Sequence, residues 1–178
     1  MTLRHCLHLL REQDGIHYGG QIFLGTFGLW FLSRMLGFAP LWAIISLILV
    51  TEVSMETTWR GFKCRIINTL VGCLTGLVFL VALKPGSLLL PLALATAVCI
   101  SVYLIRIPYG WRIAAITAAI VIIPSLAGDS KIVGLTVACQ RTMEVFMGSA
   151  MAVLVTWLIT ALRNLSARTR SRIQLAAF

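Results

Sequence analysis

Ten residues, Leu41–Val50 (LWAIISLILV), form an apolar run that stops at Thr51-Glu52. A polar stretch follows with Glu56, Arg60, Lys63 and Arg65, and a second apolar run, rich in small residues, starts at Ile66. The pattern predicts two membrane helices joined by a charged elbow. Along the whole chain the same reading gives six spans, near 17–36, 40–53, 66–83, 87–105, 112–127 and 140–162. The predicted fold class is therefore all-α, a polytopic membrane protein. Gly19, Gly20, Gly25 and Gly28 in the first span, and the Gly72/Gly76 pair in the third, are small residues that let helices approach closely.

The second half of the chain repeats the first. Trp42 and Trp111 each follow a proline closely, Pro40 and Pro108, and each opens an apolar run that is interrupted early, at Glu52 and at Pro124. Arg65 precedes Gly72 by seven residues, and Arg141 precedes Gly148 by seven. Three spans per half make the two halves enter the membrane from opposite sides, a 3+3 inverted repeat. In transporters, short or broken segments at matching positions of such halves mark the substrate site; here these are spans two and five. The competing explanation is chance, since Trp and Pro are common at helix starts and Arg at helix ends.

Composition agrees with the pattern. Hydrophobic residues make up 59% of the 178 and charged residues 12%, with mean hydropathy +0.94; soluble domains carry about 25% charged residues. Residues 16–162 are expected to form one membrane domain, with no soluble domain in what is left. Residues 1–15 lack a continuous apolar core or a cleavage site and read as a cytoplasmic segment, with Leu3, Leu7 and Leu10 at helical spacing. His5 and His8 beside Cys6 have no matching ligand pair elsewhere, so no metal and no cofactor are expected. The five cysteines show neither a CxxC pair nor a disulfide framework.

Charge gives orientation. With the N-terminus inside, eleven Lys and Arg fall on the inner side, among them Arg60, Lys63, Arg65, Arg106 and Arg112, and three outside, Arg34, Lys84 and Lys131. The positive-inside rule then places both termini in the cytoplasm. The tail 163–178 holds Arg163, Arg168, Arg170 and Arg172 without an acid. Anionic lipid headgroups account for such a juxtamembrane run at about 1 kcal/mol per cation, so the net charge of +9 requires no nucleic acid. The lipid bilayer is the expected partner.

Ionisable residues near or within the spans are the candidate chemistry. An ionisable group at mid-bilayer costs about 2.5–3.5 kcal/mol on translocon scales and usually faces a bundle interior or a wet cavity. Arg141 and Glu144 stand one turn apart and can pair. Either residues 132–139 bury them below the surface, or span six starts near Gln140 and Arg141 snorkels. Arg65 and Arg141 are each expected to open a helix, where free N–H groups and a guanidinium together favour a carboxylate. Glu52 is the candidate proton carrier. No Ser-His-Asp set and no Walker-type loop is present in the sequence, so neither nucleophilic catalysis nor direct drive by ATP is expected.

The stretch WAIISLILVTEVSMETTWRGFKCRIINTLVG resembles the signature of the fusaric acid resistance / aromatic acid exporter family: an apolar run, a Glu or Pro-Ser step, a small-residue turn, a cation, then Arg-x-x-Gly-Thr-x-x-Gly. Glu52, Ser54, Arg60, Arg65, Thr69 and Gly72 match; Asn68 stands where Gly is usual and Glu56 where Gly is commonest. Plant aluminium-activated malate transporters are similar over the same stretch. The resemblance implies a six-helix membrane domain used in pairs, hence a homodimer or a paired membrane subunit. It also implies a bacterial inner-membrane exporter of small organic anions, aromatic carboxylates above all, driven by the proton gradient or working as a channel. Arg65, Arg141, Glu144 and Thr69 would bind the anion. The rival reading is a non-transporting subunit that scaffolds or regulates a larger complex.

Overall fold

A computed structural model describes the backbone of residues 3–37, 39–83, 88–105, 110–127 and 131–176, and the side chains of 15–37, 39–83, 88–103, 110–127 and 132–165. The described residues are helical, with no strand among them. The helices are α1 (Leu3–Leu36), α2 (Leu41–Val50), α3 (Met55–Ala82), α4 (Leu89–Cys99), α5 (Trp111–Ala127) and α6 (Lys131–Ala176); α4 runs on as a π-helix over Ile100–Ile105. The side chains of His5, Cys6, His8, Lys84, Arg106, Lys131 and the tail arginines Arg168, Arg170 and Arg172, together with Pro108, lie outside the described residues.

Three boundaries differ from the sequence expectation. The polar elbow is short, Thr51–Ser54, and α3 starts at Met55 rather than near Ile66. Ser54 causes this: its Oγ accepts from the Thr57 N–H at 3.2 Å, a helix N-cap, and Glu56 pairs with Arg60 at 2.8 Å one turn on. Helix α6 starts at Lys131 rather than Gln140 and continues through the basic tail, and α1 joins the N-terminal segment to the first span. Neither stretch contains the proline that would break a helix.

The chain divides into two units, residues 1–61 with 148–178, and residues 62–147. In the first, α1 packs on α2 and on the later part of α6. A Cβ on Gly25 would meet the Leu47 side chain, and one on Gly148 would overlap the Ala43 carbonyl oxygen. Leu29, Ala43, Leu47 and Ala152 are fully buried there. In the second, α3 packs on α5: a Cβ on Gly72 would overlap the Ala114 carbonyl oxygen, and one on Gly76 would lie 3.3 Å from Val121 Cβ. Its core joins Cys73, Leu80, Leu89, Ala93, Val121, Ile122 and Ala138.

Burial is sorted as in a membrane protein. Ser46, Thr58, Asn68, Ser101, Ser149 and Thr156 are fully enclosed, while Leu74, Val78, Val81 and Trp157 on the same helices are exposed. Small polar residues between helices and large apolar ones outside suit lipid as solvent. Met55–Ala82 and Ile132–Leu165 are long and apolar enough to cross a bilayer; α2 and α5 are shorter.

Candidate functional site

Within residues 62–147, α3 and α6 touch at two levels. Phe62 meets Phe146 edge-on, with ring centroids 6.2 Å apart, and Cys73 Sγ lies 3.7 Å from both the Ala138 carbonyl and Thr142 Oγ1. The numbering rises on one helix as it falls on the other, so the two run antiparallel. Arg65 falls between these contacts on α3, as Glu144 does on α6. Both are buried, at 8% and 4% exposure.

Arg141 and Glu144 form an ion pair. Arg141 Nη1 donates to Glu144 Oε2 at 3.1 Å, and Gln140 Nε2 donates to Glu144 Oε1 at 2.9 Å. The arginine side chain keeps 20% exposure and the glutamate 5%, so the pair is open at its cationic end. The spacing of three and four residues on one helix brings all three side chains to one face.

On α3, Arg65 and Thr69 share a face at the same four-residue spacing. Thr69 Oγ1 is buried without a hydrogen-bond partner among the described residues. Beside them Asn68 is fully buried. Its Nδ2 donates to the Cys64 carbonyl at 2.8 Å, and its Oδ1 accepts from Ser101 Oγ at the start of the π-helix. Gly110 closes this cluster, since a Cβ there would overlap Cys64 Sγ and Asn68 Nδ2. π-Helical turns recur at functional positions of helical proteins. Ser101 and Gly110 escaped the sequence reading, in which Asn68 is only a departure from the family pattern and Gln140 only a helix start. Gln140 was accessible as the residue four before Glu144, but Ser101 carries no mark in an otherwise apolar run.

One expectation is corrected. Arg65 and Arg141 do not open their helices: each sits ten residues inside, counting from Met55 and Lys131. Their backbone N–H groups are committed to the helix ladder, so a helix N-terminus contributes nothing to anion binding at either. Both arginines lie the same number of residues from the start of their helices. Glu52 lies in the Thr51–Ser54 connection, exposed, in the other unit. Its backbone N–H donates to Thr58 Oγ1 at 3.1 Å.

Apolar helices around a buried arginine and small buried polar residues define an all-helical membrane protein. The chain belongs to the fusaric acid resistance protein-like family, which it matches over residues 18–155. That span takes in most of α1, all of α2 to α5, and α6 as far as Val155. No curated protein and no solved structure matches the chain.

Proposed function

We propose that the protein exports small organic anions, aromatic carboxylates above all, across the bacterial inner membrane. The proton gradient drives export and Glu52 carries the proton. The observation that carries this reading is a buried Arg65 on α3 and a half-buried Arg141 paired with the buried Glu144 on α6, each arginine ten residues into its helix, in a family whose description names resistance to an aromatic carboxylic acid. A guanidinium offers a carboxylate two parallel charge-assisted hydrogen bonds. Thr69 adds a hydroxyl one turn from Arg65.

The same reading takes residues 16–162 as six spans in two inverted halves, with 1–15 and 163–178 cytoplasmic. The glycine contacts support it. Gly72, seven residues after Arg65, rests on α5 just past Trp111; Gly148, seven after Arg141, rests on α2 just past Trp42. Each half thus lends its third helix to the second helix of the other.

Transport of a labelled aromatic carboxylate, measured in vesicles above the leak of empty ones and normalised to inserted protein, tests the site. Arg65→Ala and Arg141→Ala should each lower it about tenfold or more, the effect of losing charged hydrogen bonds of about 1.5–3 kcal/mol. Arg→Lys should recover part, keeping the charge without the planar fork. If normalised transport is unchanged in both alanine variants and only the amount of folded protein falls, the arginines are structural and the reading fails.

A further inference from the structure

We propose that Glu144 is a tethered competitor for the anion: in the empty protein its carboxylate occupies Arg141, and an incoming carboxylate displaces it. This rests on the anion-site reading above and adds a role within that site. Glu144 is the one carboxylate among the described residues of 62–147, and it already makes the bond to Arg141 that a carboxylate ligand would make.

The geometry favours exchange over a fixed brace. Removing one partner of a buried ion pair leaves an uncompensated charge, whereas replacing one carboxylate by another keeps the guanidinium compensated throughout. Arg141 is the more open member of the pair, so an anion arriving from the exposed side reaches the guanidinium before Glu144. Glu144 also has a second anchor: Gln140, itself exposed, holds the oxygen that Arg141 does not. A displaced Glu144 therefore keeps a hydrogen bond and turns toward solvent rather than into apolar packing.

The first half of the chain lacks this device. The position three residues after Arg65 is the neutral Asn68, whose amide is engaged with Cys64 and Ser101. The competitor therefore belongs to one arginine of the two. Its consequence is weak binding and quick release at Arg141, which suits a site that must let its anion go.

The test is benzoate binding to the purified full chain in detergent, followed by calorimetry for Kd and stopped-flow for the off-rate. Glu144→Gln should lower the Kd about tenfold or more and slow release by a similar factor, since a competing charge-assisted bond is gone. Glu144→Asp keeps the charge but shortens the reach to Arg141, so it should lower the Kd in the same direction by a smaller factor. Arg141→Ala should abolish the gain in the Glu144→Gln background. A Glu144→Gln variant that folds and binds benzoate no tighter than wild type overturns the proposal and leaves the anion site standing. So does a folded Glu144→Asp variant with an unchanged Kd, which decides the matter if Glu144→Gln does not fold. Absence of benzoate binding in wild type and Glu144→Gln alike, with both folded, removes the anion site and the competitor together.

Discussion

A methyl group on Gly148 would take the place of the Ala43 carbonyl oxygen, and one on Gly72 that of the Ala114 carbonyl oxygen. Both obstacles are backbone, so neither can swing aside as a side chain would. Gly148→Ala and Gly72→Ala are each expected to destabilise the protein by about 1–3 kcal/mol, the range for overpacking a well-filled interior. Gly19 is the control: nothing lies within 4 Å of a Cβ there. Gly19→Ala should be neutral or stabilise by up to about 1 kcal/mol through helix propensity. Thermal unfolding in detergent reads all three, and a Gly148→Ala variant as stable as Gly19→Ala would contradict the close packing. The spacing of Arg65 to Gly72 and of Arg141 to Gly148 was visible in the sequence. Which helix each glycine meets was not, because a small residue announces a close approach without naming its partner.

Among the elements, the two helices that carry the arginines were legible, but where they begin was not. A run such as Thr-Thr-Trp-Arg-Gly-Phe-Lys reads as a polar elbow by composition. It is helical because Ser54 caps it and Glu56 reaches Arg60, signals only one turn long that the apolar pattern outweighs. The π-helical end of α4 left no trace in its sequence, ISVYLI. What links it to α3 is Ser101, which donates to the buried Asn68 Oδ1. Ser101→Ala strands that acceptor and should cost about 1–3 kcal/mol. Pairing it with Asn68→Leu removes the orphan and should return part of the loss, since replacing both partners by apolar groups can be nearly neutral. Unfolding midpoints of the single and double variants check this. A double variant less stable than the sum of its parts would mean that Asn68 does more than serve Ser101.

For the whole molecule, topology turns on whether α2 crosses the membrane. Its ten residues rise only about 15 Å, half of the roughly 30 Å hydrocarbon core. The connection Thr51–Ser54 leaves the helix through an extended Thr51, with ψ 126. Four residues add at most about 13 Å, less here because Val53 and Ser54 bend, which brings the sum toward a full crossing. Irregular backbone at that depth must be satisfied by protein. Here the Thr51 N–H donates to the Leu47 carbonyl at 2.9 Å, the Glu52 N–H to Thr58 Oγ1, and Thr58 Oγ1 to the Glu52 carbonyl. Charge points the same way. If α2 turned back, Arg60, Lys63 and Arg65 would lie outside, against the positive-inside bias that the other loops obey. With six spans, a phosphatase reporter fused after Leu83 is active outside the cell, as is one after Ala127, while one after Leu165 is silent in the cytoplasm. If α2 and α5 both fail to cross, the Ala127 and Leu165 fusions read the same but the Leu83 fusion becomes silent. The Leu83 fusion therefore decides. Outside, it supports two halves entering from opposite faces, with Arg65 and Arg141 on helices that cross the membrane in opposite directions; inside, it ends the inverted repeat.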